Sequence, residues 1–428
     1  MIRRSFLPVA LVLTSIMATS AWSASAIFIH PDGTGLGHWN AGRLLYAGPD
    51  GHLSWDRMER LAAYRPHQKN WLSTSSHAGA TVHAYGKKVH HDSYGMDRDQ
   101  ALTAVSGAEV GIMEEAMAAG HRVGIVNSGH IGEPGTGVFL ASNESRRNVT
   151  EIASDVFASG ADLIFVGGEI FLLPSSVTGV HGQIGVRDDG RNLIDEAREA
   201  GYTVIFTRDE LMALEAGVDK VIGIFAAVDT YNDLREDRLA ASGLETYNPD
   251  QPSFDEMVSK ALEILGADPD RDFFLVAEEE GTDNFSNRTN ARGMLDALGR
   301  ADRAIGISMD FIDANPERPT LLLVGADSDA GSPTVWAPKD PAPDFELPES
   351  TPTGAELDGP DGTGGRPFVS LPDQYGNTHV FGIAWAAKDD HPGSVVAKAH
   401  GYRSDLLPVD LDNTGVYRIL HTVLFEER

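Results

Sequence analysis

The segment Phe254–Asp283, FDEMVSKALEILGADPDRDFFLVAEEEGTD, holds the pattern that decides the fold. Its first part, Phe254 to Leu265, carries apolar residues at helical spacing, and Phe273 to Val276 is a short, continuous apolar run. A strand without polar alternation is typical of a parallel sheet that is covered on both faces. Glu278 and Asp283 follow this strand closely. The segment therefore predicts a helix, a buried strand and an acidic site beyond the strand's carboxyl end.

The same helix and strand signals alternate along the rest of the chain. Further predicted strands are Ala26–His30, Arg122–Val126, Ala161–Val166, Tyr202–Phe206 and Thr320–Val324, and further predicted helices are Gly107–Gly120, Thr150–Ser159, Leu193–Ala200 and Asn290–Phe311. Repeated alternation predicts an α/β fold with a doubly wound, mostly parallel central sheet and helices on both faces.

One stretch interrupts this rhythm. Residues 338–372 are rich in Pro, Gly, Asp and Glu and contain Asp358-Gly-Pro-Asp-Gly-Thr-Gly-Gly. Such a composition predicts an irregular surface insertion, at about residues 336–385, and not a second domain. We therefore expect a single catalytic domain over residues 27–428.

Composition limits the classes of function. The chain has 428 residues, of which 42% are hydrophobic and 23% charged, as in ordinary globular proteins. It contains no cysteine, which excludes disulfides, thiolate metal sites and thiol nucleophiles. The formal net charge of −29 argues against nucleic acids and anionic membranes as partners.

The N-terminus has the pattern of a secretory signal peptide. Arg3 and Arg4 precede an apolar run from Leu7 to Met17, which is followed by small residues and Ala24-Ser25-Ala26. The alternative is a buried N-terminal helix. The apolar run is too short to span a bilayer, and no later run is long enough. We expect a signal peptide over residues 1–26 and export to the periplasm or the extracellular space.

Four acids follow predicted apolar strands. They are Asp32, Glu278, Asp283 and Asp327. Each acid alone is more often a loop cap or turn residue. Four of them at one edge of one sheet would repel each other unless cations neutralised them. Their placement therefore predicts a metal cluster.

The segment Ser73–Gly86, STSSHAGATVHAYG, begins with hydroxyl residues and continues with small residues at helical spacing. A serine at a helix N-terminus lies among free backbone N–H groups, which favour a phosphate-like anion. A neighbouring metal could activate its hydroxyl as a nucleophile. The alternative is a plain Ser/Thr helix cap.

The order and spacing of these residues resemble the alkaline phosphatase family over essentially the whole mature chain. Ser76 takes the nucleophile position of the family motif, and Ala80-Thr81, Gly86, Lys88, Gly95 and Asp97 fall on its later positions. The resemblance implies that Asp32 bridges a zinc and a magnesium, and that Asp327 binds the nucleophile-side zinc. The other metal ligands that it implies are Thr136 and Glu278 for magnesium, and Asp283 and His391 for zinc. It also implies a phosphate-binding arginine at Arg146 or Arg147.

Three positions depart from the family pattern. Ser75 replaces the aspartate before the nucleophile, and Asn287 and Ser328 replace two zinc-ligand histidines. Oxygen donors at these two ligand positions favour harder cations than zinc. We therefore expect Mg²⁺ and Zn²⁺ from the resemblance, with Ca²⁺ or Mn²⁺ as further candidates. Any of four nearby histidines could replace the missing nitrogen, namely His77, His83, His90 and His91.

The resemblance implies hydrolysis of a small-molecule phosphate monoester through a covalent phosphoserine. A phosphodiesterase or a sulfatase on the same fold is an alternative, although the chain lacks the Cys/Ser-x-Pro-x-Arg signature of sulfatases. A catalytically inactive relative that binds cations or phosphate is another. Because relatives are often dimers, a homodimer is a further expectation.

Overall fold

The structure is a computed structural model, and it describes residues 24–426. The predicted signal peptide lies outside the described residues, except for its last three. Of these three, Ser25 and Ala26 belong to the first strand and pair with Thr320 and Leu321. Within the described range, no helix is both long and apolar enough to cross a bilayer.

The elements follow one another in chain order over the described range. The strands are β1 (Ser25–Pro31), β2 (Arg60–Arg65), β3 (Met96–Asp97), β4 (Gln100–Ala101), β5 (Arg122–His130), β6 (Leu163–Gly167), β7 (Thr203–Ile205), β8 (Val221–Ile224), β9 (Phe273–Glu279), β10 (Thr320–Val324), β11 (Pro333–Trp336), β12 (Leu357–Gly359), β13 (Gly362–Thr363), β14 (Phe368–Val369), β15 (Val380–Trp385), β16 (Val396–Gly401) and β17 (Asp410–Asp412). The helices are α1 (Leu36–Tyr46), α2 (Ser54–Arg57), α3 (Ser76–Tyr85), α4 (Ile112–Ala118), α5 (Pro134–Gly137), α6 (Val149–Ala158), α7 (Leu193–Glu199), α8 (Arg208–Ala213), α9 (Glu236–Ser242), α10 (Phe254–Leu265), α11 (Gly281–Asn287), α12 (Ala291–Ala314) and α13 (Thr414–Phe425).

The central sheet has ten strands in the order β17-β2-β16-β10-β1-β9-β5-β6-β8-β7. The seven strands from β10 to β7 in this order run parallel to one another. Strand β16 is antiparallel to β10 and to β2, which adds a short mixed edge. The mostly parallel sheet confirms the predicted fold class.

Apolar side chains cover both faces of the sheet. On β1, Ile27 and Ile29 belong to one buried cluster and Phe28 to the other, because successive side chains of a strand point to opposite faces. Helix α10 closes one face and begins where the sequence predicts, since Glu256 accepts a hydrogen bond from the Ser253 backbone N–H in a capping box. The core therefore consists of two layers around the sheet.

The parallel register brings the carboxyl ends of three central strands together. On β1, His30 pairs with Glu278 of β9, and Ile29 pairs with Val324 of β10. Glu278 also pairs with Asn127 of β5. Residues that follow these strands therefore meet at one edge of the sheet.

The predicted irregular insertion contains a small sheet of its own. Strands β11, β15, β12 and β13 pair in that order, and β14 pairs with β15. Phe381 and Trp385 are buried and pack with Ala41 of α1 and Phe285 of α11. This segment is therefore more ordered than predicted, and its aromatic residues attach it to the main domain.

Candidate metal centre

The four predicted acids lie together at the carboxyl edge of the central sheet. Asp32, Glu278 and Asp327 are fully buried, and Asp283 is 5% exposed. Asp32 follows β1, Glu278 lies near the end of β9, and Asp327 follows β10. The structure thus brings the predicted acids into one buried cluster.

Glu278 and Thr136 are held together by Asn127. The Asn127 side-chain amide donates to the Glu278 carboxylate and to the Thr136 hydroxyl, the latter over 2.8 Å. Gly135 packs directly on Glu278, because a β-carbon at Gly135 would stand 1.8 Å from Glu278 Oε1. Helix α5 therefore places the Thr136 hydroxyl beside Glu278.

A second group of oxygen donors surrounds Asp283. Asn287 lies one turn further along α11, and its amide donates to Asp283 Oδ2 over 2.9 Å. The Ser328 hydroxyl donates to Asp390 Oδ1 over 3.2 Å, and burial together with the neighbouring charge of Asp390 raises the pKa of Asp283. Asp283, Asn287, Ser328 and Asp390 therefore form one oxygen-only group.

His391 is placed differently from the neighbouring Asp390. The His391 residue is exposed, and its backbone carbonyl accepts a hydrogen bond from the Asp329 N–H. The structure therefore brings Asp390 into the cluster and leaves the predicted ligand His391 at the surface. The reason is local, since the backbone pairing with Asp329 fixes which of two adjacent side chains faces inward.

Ser76 is the first residue of helix α3 and is 5% exposed. The Ser75 hydroxyl caps this helix and accepts a hydrogen bond from the Ala78 N–H. Gly79, on the next turn, packs against Asp327. The candidate nucleophile thus lies on the helix that contacts the acid cluster.

The two candidate arginines differ in their surroundings. Arg146 Nη2 lies 2.9 Å from Glu133 Oε2, and Glu133 is 6% exposed. Arg147 is exposed. Both arginines line a cavity of about 600 Å³, together with His77 and His91. Of the two, only Arg146 is held in place by a buried carboxylate within the described chain.

The buried acids repel each other in the absence of cations. Burial and the neighbouring charge of Asp32 raise the pKa of Glu278 to about 8 and that of Asp327 to about 6. Burial and Asp327 raise the pKa of Asp390 to about 6. Burial and the neighbouring Asp390 raise the pKa of Asp283 well above its ordinary value. A cation in the cluster would remove this repulsion.

Several buried oxygens of the cluster have no hydrogen-bond partner among the described residues. They are Asp32 Oδ2, Glu278 Oε1, Asp283 Oδ1, Asn287 Oδ1 and both carboxylate oxygens of Asp327. Leaving such atoms unsatisfied is costly, so their convergence fits divalent cations. The donor set is rich in oxygen, which suits magnesium, calcium or manganese at least as well as zinc.

The four histidines that the sequence offers as nitrogen donors have other neighbours. His83 Nε2 lies 2.7 Å from the Tyr64 hydroxyl. His90 is hydrogen-bonded to Asp97, and His91 to Asn70. His77 lines the cavity beside Arg146.

Four residues of the site are absent from the sequence predictions. They are His30, Glu133, Glu280 and Asp390. Glu280, 2% exposed, can form a three-carboxylate group with Asp32 and Asp283. His30 could have been predicted, because it is a polar residue at the end of a predicted apolar strand and lies two residues before Asp32. No sequence pattern distinguishes Asp390 as a ligand, because the resemblance assigns that role to the adjacent His391.

A further group lies beside the cluster and includes His130, Glu133 and Asp229. His130 Nε2 is 2.9 Å from Glu133 Oε1. His130 Nδ1 accepts a hydrogen bond from the Gly132 N–H, so the neutral ring carries its proton on Nε2 and donates it to Glu133. With both nitrogens engaged, His130 positions Glu133 and is not free to bind a metal.

Comparison with known proteins identifies the family and supports the fold. A family model described as alkaline phosphatase matches residues 25–335. The chain is 27% identical over 332 residues to an alkaline phosphatase of Gadus morhua, which covers 69% of this chain and 67% of the relative. It is 25% identical over 333 residues to a tissue-nonspecific alkaline phosphatase of Rattus norvegicus, covering 69% of this chain and 61% of the relative.

The fold also resembles that of a solved structure. The alkaline phosphatase of Thermus thermophilus superposes with a TM-score of 0.72 at 18% identity, covering 95% of this chain and 92% of that one. At this identity the likeness concerns the fold alone.

Proposed function

This chain belongs to the alkaline phosphatase family, and we propose that it hydrolyses phosphate monoesters through a covalent phosphoserine on Ser76. The observation that carries the proposal is the meeting of three features at one sheet edge. They are the N-terminus of α3 with Ser76, the buried acids around Asp327, and Arg146 in the adjoining cavity.

The acid cluster supports a metal-dependent reaction. Asp32, Thr136, Glu278, Asp283 and Asp327 would hold the divalent cations. When bound, such cations neutralise phosphate charge and make a neighbouring hydroxyl more nucleophilic.

The chain's own groups would bind and orient the phosphate. The backbone N–H groups at the start of α3 would favour an anion beside Ser76. The Arg146 guanidinium can donate two parallel hydrogen bonds to phosphate oxygens, and Glu133 fixes its position. Both features stabilise the charge that builds up on the equatorial oxygens.

The reaction would proceed in two displacements. The Ser76 Oγ forms a bond to phosphorus as the ester bond breaks, and the alcohol leaves with the proton that the serine gives up. Water then attacks the phosphoserine, which releases inorganic phosphate and restores the Ser76 hydroxyl.

Ser76→Ala tests this proposal. We expect turnover of an aryl phosphate to fall by about 10³-fold or more, because the covalent route is lost, while metal content and circular dichroism stay unchanged. Ser73→Ala is the matched control, since it removes a buried hydroxyl before helix α3 and leaves Ser76 and its cap Ser75 in place. An active Ser76→Ala protein would contradict the assignment and point to Ser75 or Thr74.

Comparison of substrates tests the ester class. We expect an aryl phosphate monoester to react faster than a bis-aryl phosphate diester or an aryl sulfate. A preference for the diester would favour the phosphodiesterase alternative.

The oxygen donors Asn287 and Ser328 favour a second candidate function, namely the binding of cations and phosphate without turnover. Protein that binds phosphate after metal addition, yet hydrolyses no aryl phosphate, would support this function over the first.

We also propose that the chain is exported. The proposal rests on the basic and apolar N-terminal pattern from Arg3 to Met17. Cell fractionation and N-terminal sequencing of the purified protein would test it, and a cytoplasmic protein with an intact N-terminus would contradict it.

A further inference from the structure

His30 lies at the centre of the acid cluster. It is the last residue but one of β1, it is fully buried, and its ring faces three of the acids. His30 Nε2 is 3.3 Å from Asp32 Oδ1 and 3.7 Å from Asp327 Oδ1. His30 Nδ1, on the other side of the ring, is 3.8 Å from Glu278 Oε1.

Neither ring nitrogen of His30 has a hydrogen-bond partner among the described residues. The same is true of both Asp327 carboxylate oxygens and of Asp32 Oδ2. Both nitrogens face carboxylate oxygens at 3.3–3.8 Å, which is longer than a well-formed hydrogen bond, so their lost hydration is only partly compensated. A cation bound between His30 Nε2 and the oxygens of Asp32 and Asp327 would satisfy these atoms together.

We infer that His30 is a metal ligand, and that its Nε2 replaces the imidazole that Ser328 does not supply to the nucleophile-side metal. The inference deepens the proposed function, because it names a ligand of the metal next to Ser76. The family resemblance gives Asp327 to that metal and makes Asp32 a bridge between a zinc and a magnesium, and His30 Nε2 faces both acids.

The separations of the donor atoms fit one ion. Zinc bound by nitrogen and carboxylate oxygen at about 2.0–2.2 Å in a tetrahedron holds its donors about 3.4 Å apart. The separations from His30 Nε2 to the two aspartate oxygens, 3.3 and 3.7 Å, bracket this value. Glu278 Oε1 lies 3.8 Å from His30 Nδ1, so an acid also faces the side of the ring that points away from the proposed ion.

The neighbouring histidines differ in a way that supports this choice. His130 uses both of its nitrogens in hydrogen bonds, with Gly132 and Glu133. His83 lies close to His30, with 5.7 Å between ring centroids, but its Nε2 is engaged by the Tyr64 hydroxyl. Of these three buried or half-buried imidazoles, His30 alone has both nitrogens free within the described chain.

The inference is tested by metal binding to the full-length protein. Three proteins would be stripped of metal with a chelator and titrated with Zn²⁺, namely the wild type, His30→Phe and His83→Phe. Mass spectrometry would give the number of bound ions per chain, and X-ray absorption would show which atoms surround the zinc. We expect His30→Phe to bind at least one ion fewer per chain at a zinc concentration that saturates the wild type, or to bind it at least about tenfold more weakly. We also expect it to lose imidazole scattering, whereas His83→Phe retains the wild-type stoichiometry.

A second variant guards against misfolding. His30→Gln keeps a polar side chain of similar size, and we expect it to fold and to show the same loss of metal. If both His30 variants keep the wild-type stoichiometry, affinity and imidazole scattering, the inference is wrong. The same titration is run with Mn²⁺, and the inference is equally wrong if the wild type binds neither ion, because His30 would then only be an ion-pair partner of Asp32.

Failure of the inference is distinguishable from failure of the proposed function. Metal content and X-ray absorption are measured without turnover, so wild type that hydrolyses no phosphate ester can still lose an ion on His30→Phe. That result would overturn the proposed function and support the ligand.

Discussion

Gly79 and Asp327 are in such close contact that a β-carbon at Gly79 would stand 2.5 Å from the Asp327 β-carbon. Gly79 lies three residues after Ser76 on α3, and residues at this spacing share one face of a helix. The helix that carries the candidate nucleophile is thereby fixed against the carboxylate that faces it.

Gly79→Ala should disturb this contact. Alanine normally stabilises a helix interior by about 1 kcal/mol relative to glycine. Here we expect the opposite, with lower thermal stability and reduced metal content, because the methyl group and Asp327 cannot occupy the same space. Thermal unfolding and metal analysis would measure both effects. Gly217→Ala, at a glycine with no neighbouring atom within 4 Å, is the control. A Gly79→Ala protein with more stability and full metal content would contradict the contact.

Arg146 and Arg147 should differ in their effects on catalysis. We expect Arg146→Ala to lower kcat/KM for an aryl phosphate by about 10²-fold, since the phosphate loses a charged bidentate donor. Arg147→Ala should change kcat/KM by less than about threefold, because its side chain is exposed and unpaired with Glu133.

Glu133→Gln tests the positioning of Arg146. Burial alone would raise the pKa of Glu133, but the neighbouring His130 and Arg146 outweigh it and lower that pKa to about 2. The Glu133 carboxylate is therefore charged near neutral pH. We expect the variant to raise KM more than it lowers kcat, with metal content unchanged. If Arg146→Ala and Arg147→Ala lowered kcat/KM equally, the pairing of Arg146 with Glu133 would not decide which arginine binds the phosphate.

Removal of metal should make stability depend on pH. The folded-state pKa of Glu278, about 8, and of Asp327, about 6, lie above their ordinary values of 4.5 and 3.8. The folded state thus holds protons that the unfolded state releases, and stability is lost as pH rises. The lowered pKa of Asp32 acts the other way, but the raised pKa of its partner His30 opposes it.

We therefore expect the Tm of the chelator-treated protein to fall steadily between pH 4 and about pH 8. Saturating metal should abolish or reverse the fall, because cations compete with protons for the same oxygens. Thermal melts with and without chelator across this range would measure it. A metal-free protein whose Tm rises over the same range would contradict the assignment of these acids.

Asn287→His should shift the metal preference toward zinc. The new imidazole would lie beside Asp283 and Asp390, and nitrogen donors favour zinc over magnesium or calcium. Metal analysis after equilibration with a mixture of the ions would give the ratio. Asn284→His on the same helix is the control, because Asn284 donates to the Tyr231 hydroxyl instead. Identical ratios in both variants would contradict the role of Asn287.

The sequence predicted the fold best where local signals agree with tertiary packing. Helix α10 and strand β10 begin and end as predicted, since α10 has apolar residues at helical spacing after a capping box and β10 is a continuous buried run. Strand β2 is not predicted, because it is the second strand from the edge of the sheet and only two of its six residues are buried. The antiparallel strands of the insertion were hidden by their glycines and prolines.

The sequence predicts the acids that follow the central strands of the site, but it does not predict His30 or Asp390. Asp32, Glu278 and Asp327 follow apolar strands, and the parallel register alone brings them together. His30 was overlooked because it stands within an apolar run and reads as part of the strand. Asp390 depends on the return of a distant loop to Asp329, which no local pattern reveals.

The position of β1 in the sheet has a consequence for how the chain folds. The first strand is also a central one, and its neighbours are β9 and β10, with Ser25 opposite Thr320. Contacts so remote in sequence form slowly, since a long loop must close before they gain any stability. During synthesis, β1 has neither of its native neighbours until most of the chain has been made. The centre of the sheet, and the site at its edge, are therefore assembled only after the ribosome has completed these late strands.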